Sequence, residues 1–600
     1  VTTNHEFVCG YDGLTCERPR KIIRPRTFED LVVALCDGDH RRTLRAGGWS
    51  LDGQSTTTDA LIELSGLDDT LTVGGRTFPT RSVRLHQDAE GYGFATVGPC
   101  VTWRALCRAT LAQGLLPASV PTGPDITVIG ALSTDCVSRF SHAWGPTFTH
   151  VASIDVLLPN GALRTGVSPR SSDEGDRALF RAAIGGLGLV GVILSATLRL
   201  RRVGSVTPAS GADPWLRAET FPLKFKEGVR TSEAAAWWRS VLTKLHTDGE
   251  QARLRRERVG HRGWRALPDG SANENPMYDA QSIAGYFTRE AMGAVQYASR
   301  FVDDGQRGQP EFALYAGLTA TRFVGEWALS QPKWHETVQH VFTGCLDATR
   351  TYRNRVDPFL FFMEANARLR GSVRGDRSAL AWREILQSPQ PWSALRFNGH
   401  AQGIADEGTE TADVPDELLR WALDGLEARF DPTAPDGTKG PRADAAPDNP
   451  RLYALQQTHV LHDVEHAVNF LIAAHEGLRE MNLEDRATLF DLLYLPGDAN
   501  APFLSIAGAR GGFAVTIGWQ EILQHPEEMQ EEQQFAEELA TLAVANGGKV
   551  SLSKNVYARG ETLQGSFDEG MLDAFRAVKN QVDPDGRLAN AFSDAFLSRA

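Results

Sequence analysis

The stretch Arg45-Ala46-Gly47-Gly48-Trp49-Ser50-Leu51-Asp52-Gly53-Gln54-Ser55 decides the reading of this chain. A basic, apolar strand runs into a glycine pair, which opens onto hydroxyl and amide residues. Gly47 and Gly48 lack Cβ, so their backbone N–H groups can approach an anion closely and take positive φ without strain. Ser50, Gln54 and Ser55 add neutral donors for phosphate or ribose oxygens. This is the pattern of a loop that wraps a pyrophosphate. A Gly-Gly pair by itself is commonly only a turn, so the reading rests on what accompanies it.

Three distant segments do. Counting the glycine loop as the first, the second segment is Pro121-Thr122-Gly123-Pro124-Asp125-Ile126-Thr127-Val128-Ile129-Gly130-Ala131-Leu132-Ser133-Thr134-Asp135, whose small and hydroxyl residues suit backbone lying against a flat ring and its ribityl chain. The third, Ala183 to Ile193, has glycines at 185, 186, 188 and 191, so main chain can pass over a cofactor, with Ile193 placed to offer its backbone to an adenine. The fourth is Asp583-Pro584-Asp585-Gly586-Arg587-Leu588-Ala589-Asn590.

Around these segments the chain alternates strands and helices. Thr27 and Asp30 make a capping box before Phe28, Leu31, Val32 and Leu35 at helical spacing. Thr102 caps a second helix carrying Trp103, Leu106, Cys107 and Leu111, and Gly114 stops it. Arg41–Arg45, Ala60–Leu64, Val151–Leu158, Ala162–Thr165 and Val190–Leu200 read as strands. After Arg202 the character changes: most tryptophans fall in 206–545, with a disordered-like stretch at Asp436–Pro450 and a helix at Glu527–Asn546. The compact pattern then returns.

Six hundred residues exceed one hydrophobic core. A net charge of −13, from 62 basic and 75 acidic residues with no long basic run, argues against nucleic acid or an anionic membrane as partner. No apolar run reaches membrane-spanning length. The seven cysteines follow no metal-ligand spacing. They predict free thiols in a soluble cytoplasmic enzyme, with Cys9 and Cys16 able to pair only under oxidising conditions. The N-terminal residues show no signal-peptide pattern.

Taken together and in this order, the four segments resemble the vanillyl-alcohol oxidase/p-cresol methylhydroxylase (PCMH-type) flavoprotein superfamily over about residues 20–203 and 500–600. Within it, Thr127–Asp135 with Arg139 to His150, and Asn546 to Lys554, resemble the decaprenylphosphoryl-ribose oxidases. The Asp583–Asn590 motif resembles the alditol and aldonolactone oxidases. The resemblance implies an α+β fold: a two-lobed PCMH-type FAD-binding domain (1–205), an inserted α+β substrate or cap domain (206–545), and a C-terminal segment (546–600) returning to the FAD lobe. It implies FAD held by Ala46, Gly47, Gly48, Trp49, Ser50, Gln54, Ser55, Thr122, Gly123, Thr127, Gly130, Thr134, Asp135, Gly188, Ile193 and Asn590. Many members bond the flavin through a histidine where this chain has Trp49, and bicovalent members add a cysteine that Pro121–Asp135 lacks. Non-covalent FAD is therefore expected.

The resemblance also implies the chemistry. Lys554 matches a catalytic lysine, which can hydrogen-bond a reacting hydroxyl, stabilise its alkoxide character or accept its proton. Hydride transfer to flavin N5 would then oxidise a CH–OH group of a sugar, polyol or glycosylated small molecule, in secondary metabolism such as antibiotic biosynthesis. Electrons would pass on to O2 or another acceptor. His142 is a second catalytic candidate, equally readable as a hydrogen-bonded core histidine. Arg139 would supply a cation near the substrate. Amine oxidation or oxidative cyclisation on the same scaffold is the alternative. A third reading is a zinc hydrolase, from His462, Glu465 and His466 in a His-x-x-Glu-His sequence on one helix face. The principal reading includes no metal.

Overall fold

The computed structural model describes residues 7–202 except 13, 37, 39, 90–92, 112, 114, 122–125 and 139. It also describes 216–223, 231–259, 280–287, 292–299, 301–303, 310–312, and 451–597 except 484–488 and 524–528. Thr122, Gly123, Arg139 and the Asp436–Pro450 stretch lie outside the described residues.

The strand Arg42–Arg45 runs parallel to Ala60–Glu63, which pairs on its other edge with Lys21–Ile23. Helix Phe28–Cys36 packs beside them, burying Phe28, Leu31, Ala34 and Leu35. Its start is the expected capping box: Thr27 N–H donates to Asp30 Oδ2 at 3.0 Å and Asp30 N–H to Thr27 Oγ1 at 3.1 Å. A six-stranded sheet follows, in the order Leu163–Val167, Val151–Leu157, Val192–Arg202, Gly93–Val97, Val83–Gln87, with Leu115–Pro117 also on Val192–Arg202. Its core holds Trp103, Leu106, Phe140 and Phe180, but also Phe503, Leu552 and Phe575 from the far end of the chain.

A second, antiparallel sheet has seven strands in the order Leu216–Leu223, Met292–Ser299, Ala280–Phe287, Leu489–Pro496, Gly511–Leu523, Arg451–Leu461, Lys549–Val550. Side chains alternate across its strands with period two. Leu455, Leu461, Phe513, Val515, Ile517 and Trp519 pack under helices Thr231–Val259, Val464–Glu480 and Gln530–Ala545. The intervening residues are smaller or polar. Val460, Leu493 and Ala514 meet Val137 of the first region, and Thr458 pairs with Thr516 through their hydroxyls at 2.7 Å. One face of this sheet is thus sealed by helices, while the other is turned toward the segment that follows Asp135.

Two expectations are corrected. Cys9 and Cys16 form a disulfide, because the short antiparallel pair Val8–Cys9 and Cys16–Glu17 sets them directly opposite. The described free thiols are Cys36, Cys100, Cys107 and Cys136. His462, in turn, does not share a helix face with His466: it precedes the helix, which begins at Val464 with Asp463 as its cap. Among the described residues no helix is long and apolar enough to cross a membrane.

Candidate FAD and substrate site

The fold brings the four segments together. A Cβ built on Gly47 would lie 3.3 Å from Thr127 Cγ2, so the glycine loop abuts the second segment. Gly185 N–H donates to Leu132 O and Leu187 N–H to Ser133 O, each at 2.8 Å, joining second to third. Gly188 rests against Leu44, the strand that feeds the glycine loop. The C-terminal motif closes the ring: Arg42 N–H donates to Arg587 O at 2.7 Å and Ala589 N–H to Arg42 O at 2.9 Å. A buried pair, Lys579 with Asp583, anchors that motif, and Lys579 Nζ also donates to Leu588 O at 2.9 Å.

The glycine loop is shaped by a cation that sequence reasoning passed over. Arg45 lies half-buried beneath it, and its guanidinium donates to Ser55 Oγ at 3.0 Å, Ser55 O at 3.3 Å and Cys9 O at 3.0 Å. Burial pulls its pKa below the usual arginine value, with Glu63 opposing. Gly48 lies over this group with φ +71, a conformation and a closeness that need a residue without Cβ. Ser50 donates to Ser55, tying the loop's hydroxyls together. Trp49 lies against Tyr11, ring centroids 4.7 Å apart.

Three polar atoms in these segments suit a polar ligand: Gln54 Oε1, Thr56 Oγ1 and Asn590 Nδ2 are buried without a hydrogen-bond partner among the described residues. Gln54 has a structural partner as well. Its Nε2 is given to the carbonyls of Leu552 and Lys554, so the amide ties the glycine loop to the lysine segment. Asn590 Oδ1 closes its own turn by accepting from the N–H groups of Phe592 and Ser593. Thr127 caps helix Val128–Ser133, accepting from Gly130 N–H at 3.3 Å. Asp135 takes φ +49, and its carboxylate accepts from Ser505 Oγ at 2.6 Å. Burial raises its pKa, opposed by Ser505, the backbone of Ile506 and the charge of Lys549. Half-buried Ala46 continues the strand, and Ile193 sits in the first sheet's ladder opposite Val156.

Lys554 arrives from the second sheet. The segment after strand Lys549–Val550 runs along Arg451–Leu461, with Ser551 N–H donating to Thr458 O at 2.8 Å and Asn555 N–H to Gln456 O at 2.9 Å. Lys554 Nζ donates to Gln456 Oε1 at 3.1 Å. Its charge reaches the second segment: burial pushes the Cys136 thiol up, while the Thr134 hydroxyl, 3.1 Å away, and Lys554 pull it down. The ammonium therefore lies at the junction of the second segment and the polar sheet face of Gln456, Thr458 and Thr516. Gln456 carried no signal in the sequence, because only the strand pairing sets it beside Lys554. His142 is buried on the short helix Ser141–Trp144, which packs against helix Thr231–Val259 and strand Leu489–Pro496.

The histidine sequence does not converge. His462 Nδ1 pairs with Gly511 O at 2.6 Å, and Glu465 makes a two-pronged ion pair with Arg239 at 2.5 and 2.7 Å. His466 Nδ1 lies 2.7 Å from Asp463. Each side chain is engaged with a different partner, and no trio of metal-ligating groups forms among the described residues.

Part of the chain is similar to known proteins. Residues 19–166 match the FAD binding domain family. The chain is 33% identical over 117 residues to decaprenylphosphoryl-beta-D-ribose oxidase of Mycolicibacterium smegmatis, covering 20% of this chain and 25% of that protein. It is 26% identical over 191 residues to cytokinin dehydrogenase 3 of Oryza sativa subsp. japonica, covering 30% and 33%. Cytokinin dehydrogenase 2 of the same plant is 30% identical over 197 residues, 32% of each chain. The matched segments span a quarter to a third of these relatives' own length. The region holding the glycine loop is an FAD-binding domain, and FAD is its cofactor.

Proposed function

We propose that this protein is an FAD-dependent oxidoreductase acting on the CH–OH group of a sugar, polyol or glycosylated small molecule. The observation that carries the reading is the meeting of Lys554 with the second segment at one end of the FAD-binding loops. On this reading residues 1–205 and 546–600 form the FAD-binding part, and 206–545 roof the substrate. Gly47, Gly48, Ser50, Thr56 and Asn590 would hold FAD without a covalent bond, Trp49 having no nucleophilic nitrogen suited to a flavin link. When bound, FAD would supply the two-electron acceptor, to be reoxidised by O2 or another acceptor. Lys554 would hydrogen-bond the substrate oxygen and hold its proton, with Gln456 fixing the ammonium in place. Thr458 and Thr516 offer hydroxyls to a polyhydroxylated substrate on the same sheet face.

The relatives named for cytokinins favour a second reading, amine oxidation or oxidative cyclisation on the same scaffold. An amine needs no alkoxide stabiliser, so Lys554 separates the two. The test is anaerobic: the purified yellow protein is mixed with a panel of sugars, polyols and amines, and bleaching is followed in wild type and Lys554→Met. Bleaching by a hydroxyl compound that depends on Lys554 supports the first reading. A colourless protein that takes up no FAD, or bleaching that Lys554→Met leaves intact, overturns it.

A further inference from the structure

The strands Val8–Cys9 and Cys16–Glu17 precede the residues that match the FAD binding domain, yet they lie on the glycine loop inside that match. Cys9 O accepts from Arg45 at 3.0 Å, Tyr11 N–H donates to Ser50 O at 2.8 Å, and the Tyr11 ring rests on Trp49. A Cβ on Gly10 would press on Asp12 Oδ1 at 2.8 Å while only touching Ser50 O at 3.4 Å, so the glycine leaves room for the Asp12 carboxylate. Asp12 has no solvent exposure. Its carboxylate accepts from Asp52 N–H at 2.7 Å, Asn555 Nδ2 at 2.9 Å and Leu14 N–H at 3.1 Å.

These contacts join two distant parts of the site. Asp52 belongs to the glycine loop, and its own carboxylate accepts from Val556 N–H at 2.9 Å. Asn555 follows Lys554, and its Oδ1 accepts from Gln456 N–H at 2.9 Å, on the residue whose side chain holds the ammonium. We propose that Asp12 is a positioning residue that locks the FAD-binding loop to the Lys554 segment, held in place by the Cys9–Cys16 bridge. Asp12 acts through Asp52 and Asn555 and touches neither substrate nor reacting atoms. A buried carboxylate accepting three hydrogen bonds holds its donors in one geometry, and removing one partner strands the others. Both cysteines are half-buried, so the bridge is within reach of a reductant, and breaking it frees the hairpin to leave the loop.

The inference rests on the proposed role of Lys554 only for its catalytic consequence, and its test reads placement rather than turnover. FAD affinity is measured by quenching of flavin fluorescence for wild type, Asp12→Asn, and wild type reduced with a phosphine. Lysine acetylation by a water-soluble succinimidyl ester is mapped by mass spectrometry on the same samples. Buried Lys579, tied to Asp583, is the internal control for unfolding. Asp12→Asn and the reduced protein should each bind FAD roughly tenfold more weakly, the loss of about one charge-assisted hydrogen bond. Acetylation of Lys554 should rise while Lys579 stays protected. If FAD affinity and Lys554 labelling match the untreated protein, or if Lys554 and Lys579 become reactive together, Asp12 is not a positioning residue. The Lys554 mechanism fails separately, by retained bleaching in Lys554→Met with Asp12 intact.

Discussion

Substituting alanine for glycine at three positions separates the physical demands on the glycine loop. Gly75, in the tight turn of the hairpin Thr70–Pro79, takes φ +78 with no heavy atom within 4 Å of a built Cβ. Gly75→Ala therefore pays only for left-handed backbone, about 1–2 kcal/mol. Gly48 has φ +71, and its Cβ would fall 2.6 Å from Arg45 Nη2 and 3.0 Å from Arg45 Cζ. The guanidinium is held by Ser55 and Cys9, so it cannot swing aside without losing charge-assisted hydrogen bonds. That adds about 2 kcal/mol to the strain. Gly47 is outside the positive-φ set, and its Cβ would meet Trp49 and Thr127 side chains at 3.0 and 3.3 Å, which can give slightly. Gly48→Ala should thus weaken FAD binding about thirtyfold by the local 2 kcal/mol, with Gly47→Ala losing much less and Gly75→Ala nothing. Isothermal titration of apoprotein with FAD gives the affinities, and thermal unfolding of each apoprotein gives the strain. The reasoning fails if Gly48→Ala binds FAD as tightly as Gly75→Ala. It also fails if Gly47 proves the costlier position.

Four further outcomes follow from particular contacts. Lys554→Met should lower turnover of a hydroxyl substrate by roughly 100-fold or more while FAD affinity holds, measured by stopped-flow bleaching and fluorescence titration. Lys579→Met strands the buried Asp583 carboxylate and should destabilise the fold by about 3–5 kcal/mol, read by urea unfolding. His459 is fully buried with its pKa lowered from 6.5 to about 3 by desolvation. Below its unfolded pKa the unfolded chain gains a proton that the folded chain refuses, so this stability is complete above that value. It is lost as pH falls toward the folded pKa, at up to about 1.4 kcal/mol per pH unit. His459→Gln should flatten the acid slope of urea midpoints, and an unchanged slope would assign it elsewhere. Dialysis against a chelator should leave FAD-dependent turnover intact, because Glu465 is held by Arg239 and His462 by Gly511, and zinc-dependent loss would refute that placement.

Local rules made several features legible in the chain before any tertiary contact was known. Left-handed glycines, the reciprocal Thr27–Asp30 cap and the apolar repeat of Phe28, Leu31 and Leu35 depend on residues within one turn of one another. Glycine loops with hydroxyl neighbours belong to the same class, because the ability to receive a phosphate lies in the backbone itself. Gln456, Asp12, Asn555 and Arg45 left no such trace. Each is an ordinary polar residue whose role exists only after strands far apart in sequence pair or stack. The histidine stretch shows the converse. Its spacing suggested one helix face, but the Asp463 cap set the helix start after His462 and sent the three side chains to different partners.

The Cys9–Cys16 bridge marks the same division. Seven residues of separation permitted a disulfide or two free thiols, and the hairpin register brought the sulfurs together. Sequence by itself determined where main chain can turn through left-handed φ, since that freedom and the absence of Cβ are properties of single residues. Only the tertiary structure decided which side chains meet there, since hydrogen bonds and charge interactions fall away within a few ångströms and long-range pairing alone supplies that proximity.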